Sequence, residues 1–347
     1  MSRLLAGLLC LGLVLSAMVG ARADTPGAPE AGELNIYSAR HYDTDLALYD
    51  RFTEETGIRI NLIEGDSDEL IARIEREGTH SPADLLITVD AGRLWRAEEK
   101  GLFQTVESGI LETRIPEHLR HPDGLWFGLS KRARIIIYNK AQSHPEKLDT
   151  YADLADPANR GAVCMRSSSN IYNLSLLAAL IEHQGTEEAE NWAKGVVANF
   201  ARPPQGNDTA NIRAVAAGEC RISLVNTYYV GRLLGSDNPE DRAVAEAIGL
   251  VFPDQQGRGT HVNIGGAGVL INAPNRANAV RFIEFLTGDW AQRAFSEQNH
   301  EYAAVPGIEI DTPLNAFGPF REDTLNAAAL GRNQPEAVRI FDRAGWK

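Results

Sequence analysis

Apolar and polar positions repeat with two different periods along this chain. Residues 34–37 and 85–89 are short apolar runs, and residues 58–63 alternate apolar with polar, so all three read as strands. Between them, residues 44–56 place Leu46, Leu48, Tyr49 and Phe52 at helical spacing before a stop at Gly57. Residues 68–77 and 92–100 read as helices that stop at Gly78 and Gly101. Strand, helix, strand, helix, strand predicts a βαβαβ unit with a mostly parallel sheet. The pattern then resumes, with strands at 134–138, 162–165 and 221–225, and helices at 171–184 and from 228 onward. Further helices are predicted at 276–286, 289–298 and 335–344, the last with Pro335 at its first position and Gly345 as its stop.

Two α/β units follow from this order. The strands 134–138 and 262–271 are the candidates to cross between them. Gly265, Gly266 and Gly268 interrupt the second, which suits either a hinge or a glycine-weakened strand or bulge. One lobe is then 24–133 with 262–305, and the other is 134–261 with 306–347. The first 23 residues stand apart. Arg3 precedes an apolar run over 4–19, and Ala21-Arg22-Ala23 offers a small-x-small cleavage site before Asp24. That is a secretory signal peptide. Residues 24–32 form a small, polar lead-in, and no later apolar stretch is long enough to span a bilayer.

Charge and cysteine content narrow the function. The formal net charge is −13, and the leader would take two cations, Arg3 and Arg22, with it. Such acidity argues against nucleic acid and anionic lipid as partners and is compatible with a cation as cargo. Of three cysteines, Cys10 lies inside the leader. Cys164 and Cys220 remain, and in an oxidising compartment such a pair reads as a disulfide, with two separate buried thiols as the alternative.

Open parallel sheets bind ligands outside the carboxyl ends of their strands. Three such exits stand out. Ser38-Ala39-Arg40-His41-Tyr42-Asp43 follows the first strand, Arg166 to Tyr172 follows 162–165, and Asn226-Thr227-Tyr228-Tyr229 follows 221–225. Four of the nine tyrosines, Tyr42, Tyr172, Tyr228 and Tyr229, lie at these exits, with His41 beside one of them. A single tyrosine there is ordinarily a half-buried aromatic with a wet hydroxyl. Together they form a set of hard oxygen ligands with one imidazole, which suits iron better than zinc or copper(I). A small trivalent cation can deprotonate phenols that otherwise titrate near ~10. Ser167-Ser168-Ser169-Asn170 caps a helix and also suits an anion at its free N–H groups. Lys131, Arg132 and Arg134 lie near the crossover, where salt bridges are their commoner fate. No HExxH, GxSxG, P-loop or post-strand GxGxxG occurs, so no enzyme is indicated.

These residues resemble the periplasmic ferric-binding proteins of ABC iron importers, in particular their tyrosine-rich branch. The matching segments are Ile36 to Asp45, Ser81-Pro82-Ala83-Asp84, Thr88 to Trp95, Ser167 to Tyr172 and Asn226 to Tyr229. The resemblance implies a two-lobed periplasmic binding protein of the second type, α/β with hinge crossover strands. It implies iron in the cleft, held by His41, Tyr42, Tyr172, Tyr228 and Tyr229, with Fe(III) favoured and Fe(II) compatible. Asp68 and Glu69 fall near a carboxylate ligand of neisserial-type relatives and are left out because the extra tyrosines replace it. Anion-assisted relatives would match Ser169 with Arg132 or Arg134 loosely. The implied partners are an inner-membrane permease and its ATPase, with the protein a periplasmic monomer. An oxyanion or a polyamine remains the alternative cargo, and an exported enzyme on the same fold the alternative class.

Overall fold

The computed structural model describes residues 32–40, 42–142 and 147–347. The leader, the lead-in up to residue 31 and His41 lie outside the described residues. In chain order the elements are β1 (Glu33–Ser38), α1 (Leu46–Thr56), β2 (Arg59–Glu64), α2 (Ser67–Glu77), β3 (Leu85–Val89), α3 (Ala91–Glu99), α4 (Gly109–Arg114) and β4 (Phe127–Asn139). Next come β5 (Val163–Cys164), α5 (Ile171–Gln184), α6 (Thr186–Ala198), α7 (Asp208–Ala216), β6 (Ile222–Asn226), α8 (Thr227–Leu234), α9 (Pro239–Ala247) and β7 (Ile248–Val251). The chain ends with β8 (Val262–Val269), α10 (Arg276–Leu286), α11 (Asp289–Asn299), β9 (Tyr302–Ala303), α12 (Ala328–Arg332) and α13 (Gln334–Ala344). No helix among the described residues is long and apolar enough to cross a membrane.

Local chemistry sets the helix ends. Gly57, at φ 73°, closes α1 in the left-handed conformation that glycine adopts without strain. Asp66 caps α2 by accepting from the Asp68 N–H, and Asn170 caps α5 by accepting from the Asn173 N–H.

The strands run in the order β2-β1-β3-β8-β4-β6-β5, with β7 and β9 also on β4. Only β1–β2, β1–β3 and β5–β6 are parallel, and every pairing that involves β4 or β8 is antiparallel. The expectation of a mostly parallel sheet is therefore corrected to a mixed one. The early βαβαβ unit does pair in parallel, but β8 lies between β3 and β4 and runs opposite to both, and β4 runs opposite to β6. The α/β class is unaffected.

β4 joins the two halves. Its residues Phe127–Ala133 pair with β8, and Arg134–Tyr138 pair with β6. The second passage comes just before β8, where the Arg134 N–H donates to the His261 carbonyl at 2.9 Å. β8 itself pairs on one side of that passage only. Its glycines answer to crowding: a Cβ at Gly265 would lie 2.9 Å from both Arg40 Nη1 and Ser130 Oγ, and one at Gly268 would lie 2.5 Å from the Phe103 ring. A distinct apolar cluster, including Ile136, Leu177, Trp192, Leu224, Phe341 and Trp346, packs α5, α6 and α13 against the second half of β4 and β6. Cys164 on β5 and Cys220 ahead of β6 form a disulfide, with Cα atoms 5.9 Å apart.

Candidate metal centre

Each tyrosine singled out sits where a strand gives way to a turn or helix. β6 ends at Asn226 and α8 starts at Thr227, so Tyr228 and Tyr229 occupy the first turn of α8. Tyr228 is buried, Tyr229 is partly exposed, and their rings lie 4.2 Å apart between centroids. Tyr172 is the second residue of α5, and its hydroxyl lies 3.1 Å from the Tyr228 hydroxyl. Tyr42 follows β1 and precedes a short 3-10 turn, Asp43–Asp45. The Arg232 guanidinium lies over both the Tyr42 ring, at 4.7 Å, and the Tyr228 ring, at 5.0 Å. Tyr42 from the first half thus comes to the tyrosines of the second. His41 lies outside the described residues.

The phenols feel one another. Burial pushes the Tyr228 hydroxyl well above its ordinary titration range, and negative charge on Tyr172, Tyr229 or Tyr42 would push it higher, while Arg132 opposes. Tyr172 is raised for the same reasons, burial first and then Tyr229, with Arg132 opposing. In the absence of a cation these two groups are neutral phenols. Only a strong local positive charge makes ligands of them together, because a bound cation reverses the cost of placing anions side by side. Among the described residues no cluster of His, Cys, Asp or Glu could hold a metal.

The arginines divide their labour. Arg134 donates to Asp208 at 2.7 Å, Asn226 at 3.1 Å and Asn173 at 2.9 Å, so it frames the exits of β5 and β6. Arg132 donates to Glu301 at 2.6 Å, while its Nε and Nη1 are buried without a partner among the described residues. Ser169 is exposed, and its hydroxyl is 2.9 Å from that of Ser167. Of the three residues considered for an anion, Arg132 keeps the most unused donor capacity. Asp68 is taken up by Arg96 at 2.9 Å.

Sequence reading missed Glu301, Arg40 and Arg232 as parts of this environment. Arg232 carried a signal, one helical turn after Tyr228. Glu301 carried none, since its partners are far away in the chain.

Residues 80–318 match the family described as bacterial extracellular solute-binding protein. The chain belongs to this family. Among related solute-binding proteins, Iron uptake protein A1 of Synechocystis sp. is 55% identical over 325 residues, covering 94% of this chain and 90% of that protein. Iron uptake protein A2 of the same organism is 51% identical over 338 residues, 97% of this chain and 96% of the relative. A solved structure of the Trichodesmium protein IdiA (FutA), in complex with iron and citrate ligands, superposes with a TM-score of 0.89 at 55% identity, covering 91% of this chain and all of that one. The fold of this solute-binding protein is thus the two-lobed one of the periplasmic ferric-binding proteins.

Proposed function

We propose that this solute-binding protein captures ferric iron between its lobes through the phenolates of Tyr42, Tyr172, Tyr228 and Tyr229 with the imidazole of His41. The observation that carries the reading is the convergence of four tyrosines from three strand exits, two of them with hydroxyls 3.1 Å apart. The names of the relatives, iron uptake proteins, agree with it. Fe(III) is favoured over Fe(II) because displacing protons from two phenols held neutral by burial takes a high charge density. Arg132, with two open donors, is the arginine suited to an anion that completes the iron shell.

The lobes in this reading are 24–133 with 262–305 and 134–261 with 306–347, joined through β4 and the passage before β8. They close on iron by a hinge motion. The leader directs export to the periplasm and is cleaved after Ala23. The closed monomer delivers its cargo to an inner-membrane permease driven by an ATPase.

Ferric salt added to the metal-free protein should produce a visible phenolate-to-iron charge-transfer band. Tyr229→Phe should weaken both the band and iron retention. No band in the parent, together with unchanged iron binding by Tyr229→Phe, would overturn the assignment.

A further inference from the structure

α11 ends at Asn299, and His300 follows with φ 55°, in the left-handed region. That turn sends two neighbouring side chains to different places. The His300 ring lies against α8, where two glycines leave it room. A Cβ at Gly231 would come 2.8 Å from the His300 Cβ, and one at Gly235 would come 3.2 Å from its Nε2. Glu301 turns into the protein and is fully buried.

There it accepts from two cations. Arg40 Nη1 donates at 3.0 Å and Arg132 Nη2 at 2.6 Å. Each of these guanidiniums reaches toward a different tyrosine. Arg40 lies 4.9 Å from the Tyr42 ring, and Arg132 lies 6.0 Å from the Tyr228 ring. Arg40 has a second carboxylate, Asp45, at 2.8 Å, whereas Glu301 is the one ionic partner of Arg132 among the described residues. One carboxylate therefore links a cation beside the Tyr42 exit to a cation beside the α8 tyrosines.

We propose that Glu301 is a positioning residue for the iron site, fixing Arg40 against Tyr42 and Arg132 against Tyr228. This rests on the phenolate reading given above. One observation and two physical arguments carry it. Fully buried ion pairs are costly to form, and well-packed apolar residues of similar volume often replace them without loss. Gly265 is the position in β8 where a side chain would strike both Arg40 and Ser130, so the strand is thinned where this network passes. Electrons on a phenolate respond to a nearby fixed cation, so the placing of Arg132 sets how strongly the oxygen donates to a metal.

The test uses the full mature chain, loaded with ferric nitrate and titrated with citrate as competitor. In Glu301→Gln the charge-transfer band should persist but move to shorter wavelength, because the Arg132 cation loses its counter-ion and holds the phenolate electrons more tightly. Ferric affinity should fall ~10-fold or more, as is typical when a group that orients a ligand is removed. Glu301→Asp should recover most of the band position. A Glu301→Gln protein that folds normally and keeps the parent band and affinity overturns the inference. If that variant does not fold, Arg132→Met with Glu301→Gln removes both charges together. A parent-like band and affinity in the double variant overturns the inference, and a displaced band with weaker binding supports it. The phenolate reading itself fails differently, through absence of any band in the parent.

Discussion

The Tyr172 hydroxyl lies 3.1 Å from the Tyr228 hydroxyl across a sequence separation of 56 residues. One comes from the first turn of α5 and the other from the first turn of α8. β5 and β6 are parallel neighbours, so both helices begin at the same end of the sheet. Arg134 and Asp208 hold the two exits together from behind: Arg134 donates to Asn173 and Asn226, and the Asn226 N–H donates to Asp208.

Removing either hydroxyl should cost more than removing an orienting group. Tyr172→Phe and Tyr228→Phe should each lower ferric affinity by more than the ~10–100-fold expected for loss of a supporting partner. Competitive titration against citrate measures this. Thermal stability should change little in Tyr172→Phe, because among the described residues that hydroxyl is partnered by another phenol and by no backbone or charged group.

Iron uptake should release protons. Tyr172 and Tyr228 are both held protonated at neutral pH, with burial as the first cause. Their protons must leave when they become ligands, so binding weakens as pH falls and strengthens as it rises. Calorimetric titration in two buffers of different ionisation enthalpy should report about two protons or more per iron bound. Release of none would show that neither phenol is a ligand.

The Cys164–Cys220 disulfide closes a loop of sequence separation 56. In the chain-entropy picture such a loop contributes about 4 kcal/mol. Changing both residues to Ala should lower the denaturant midpoint accordingly. Iron binding by the fraction that remains folded should persist, because both cysteines lie before the strand exits rather than among the tyrosines.

Gly265→Ala should destabilise the fold by about 1–3 kcal/mol, in the range for overpacking a core. The new Cβ would lie 2.9 Å from Arg40 Nη1 and Ser130 Oγ, and the Arg40 guanidinium is held at both ends by Asp45 and Glu301. Denaturant unfolding measures the loss. An unchanged midpoint would show that the network yields more easily than its burial suggests.

Much of the architecture was legible in the sequence because it rests on short-range periodicity. Gly57, Gly345 and Pro335 mark helix ends in the structure as they do in the chain. Short elements were harder to see. β7 and β9 span four and two residues, too few to show a period, and they exist because β4 offers them a partner. The sense of β4 and β8 was misread because a strand's direction in a sheet depends on its neighbours, which periodicity does not reveal.

The site divides along the same line. Sequence alone determined that tyrosines follow three strands, since a strand exit is a local event. The acidity, too, is a property of the chain alone. Only the tertiary structure decided that Tyr42 meets Tyr228 across Arg232 and that Arg134 is spent on framing while Arg132 keeps two donors open. It alone placed the Glu301 carboxylate between Arg40 and Arg132. Glu301 lies 261 residues from Arg40 and 169 from Arg132, so no local pattern could have announced it. Burial in a shared low-dielectric space makes those distant charges depend on one another, and burial is a property of the folded chain.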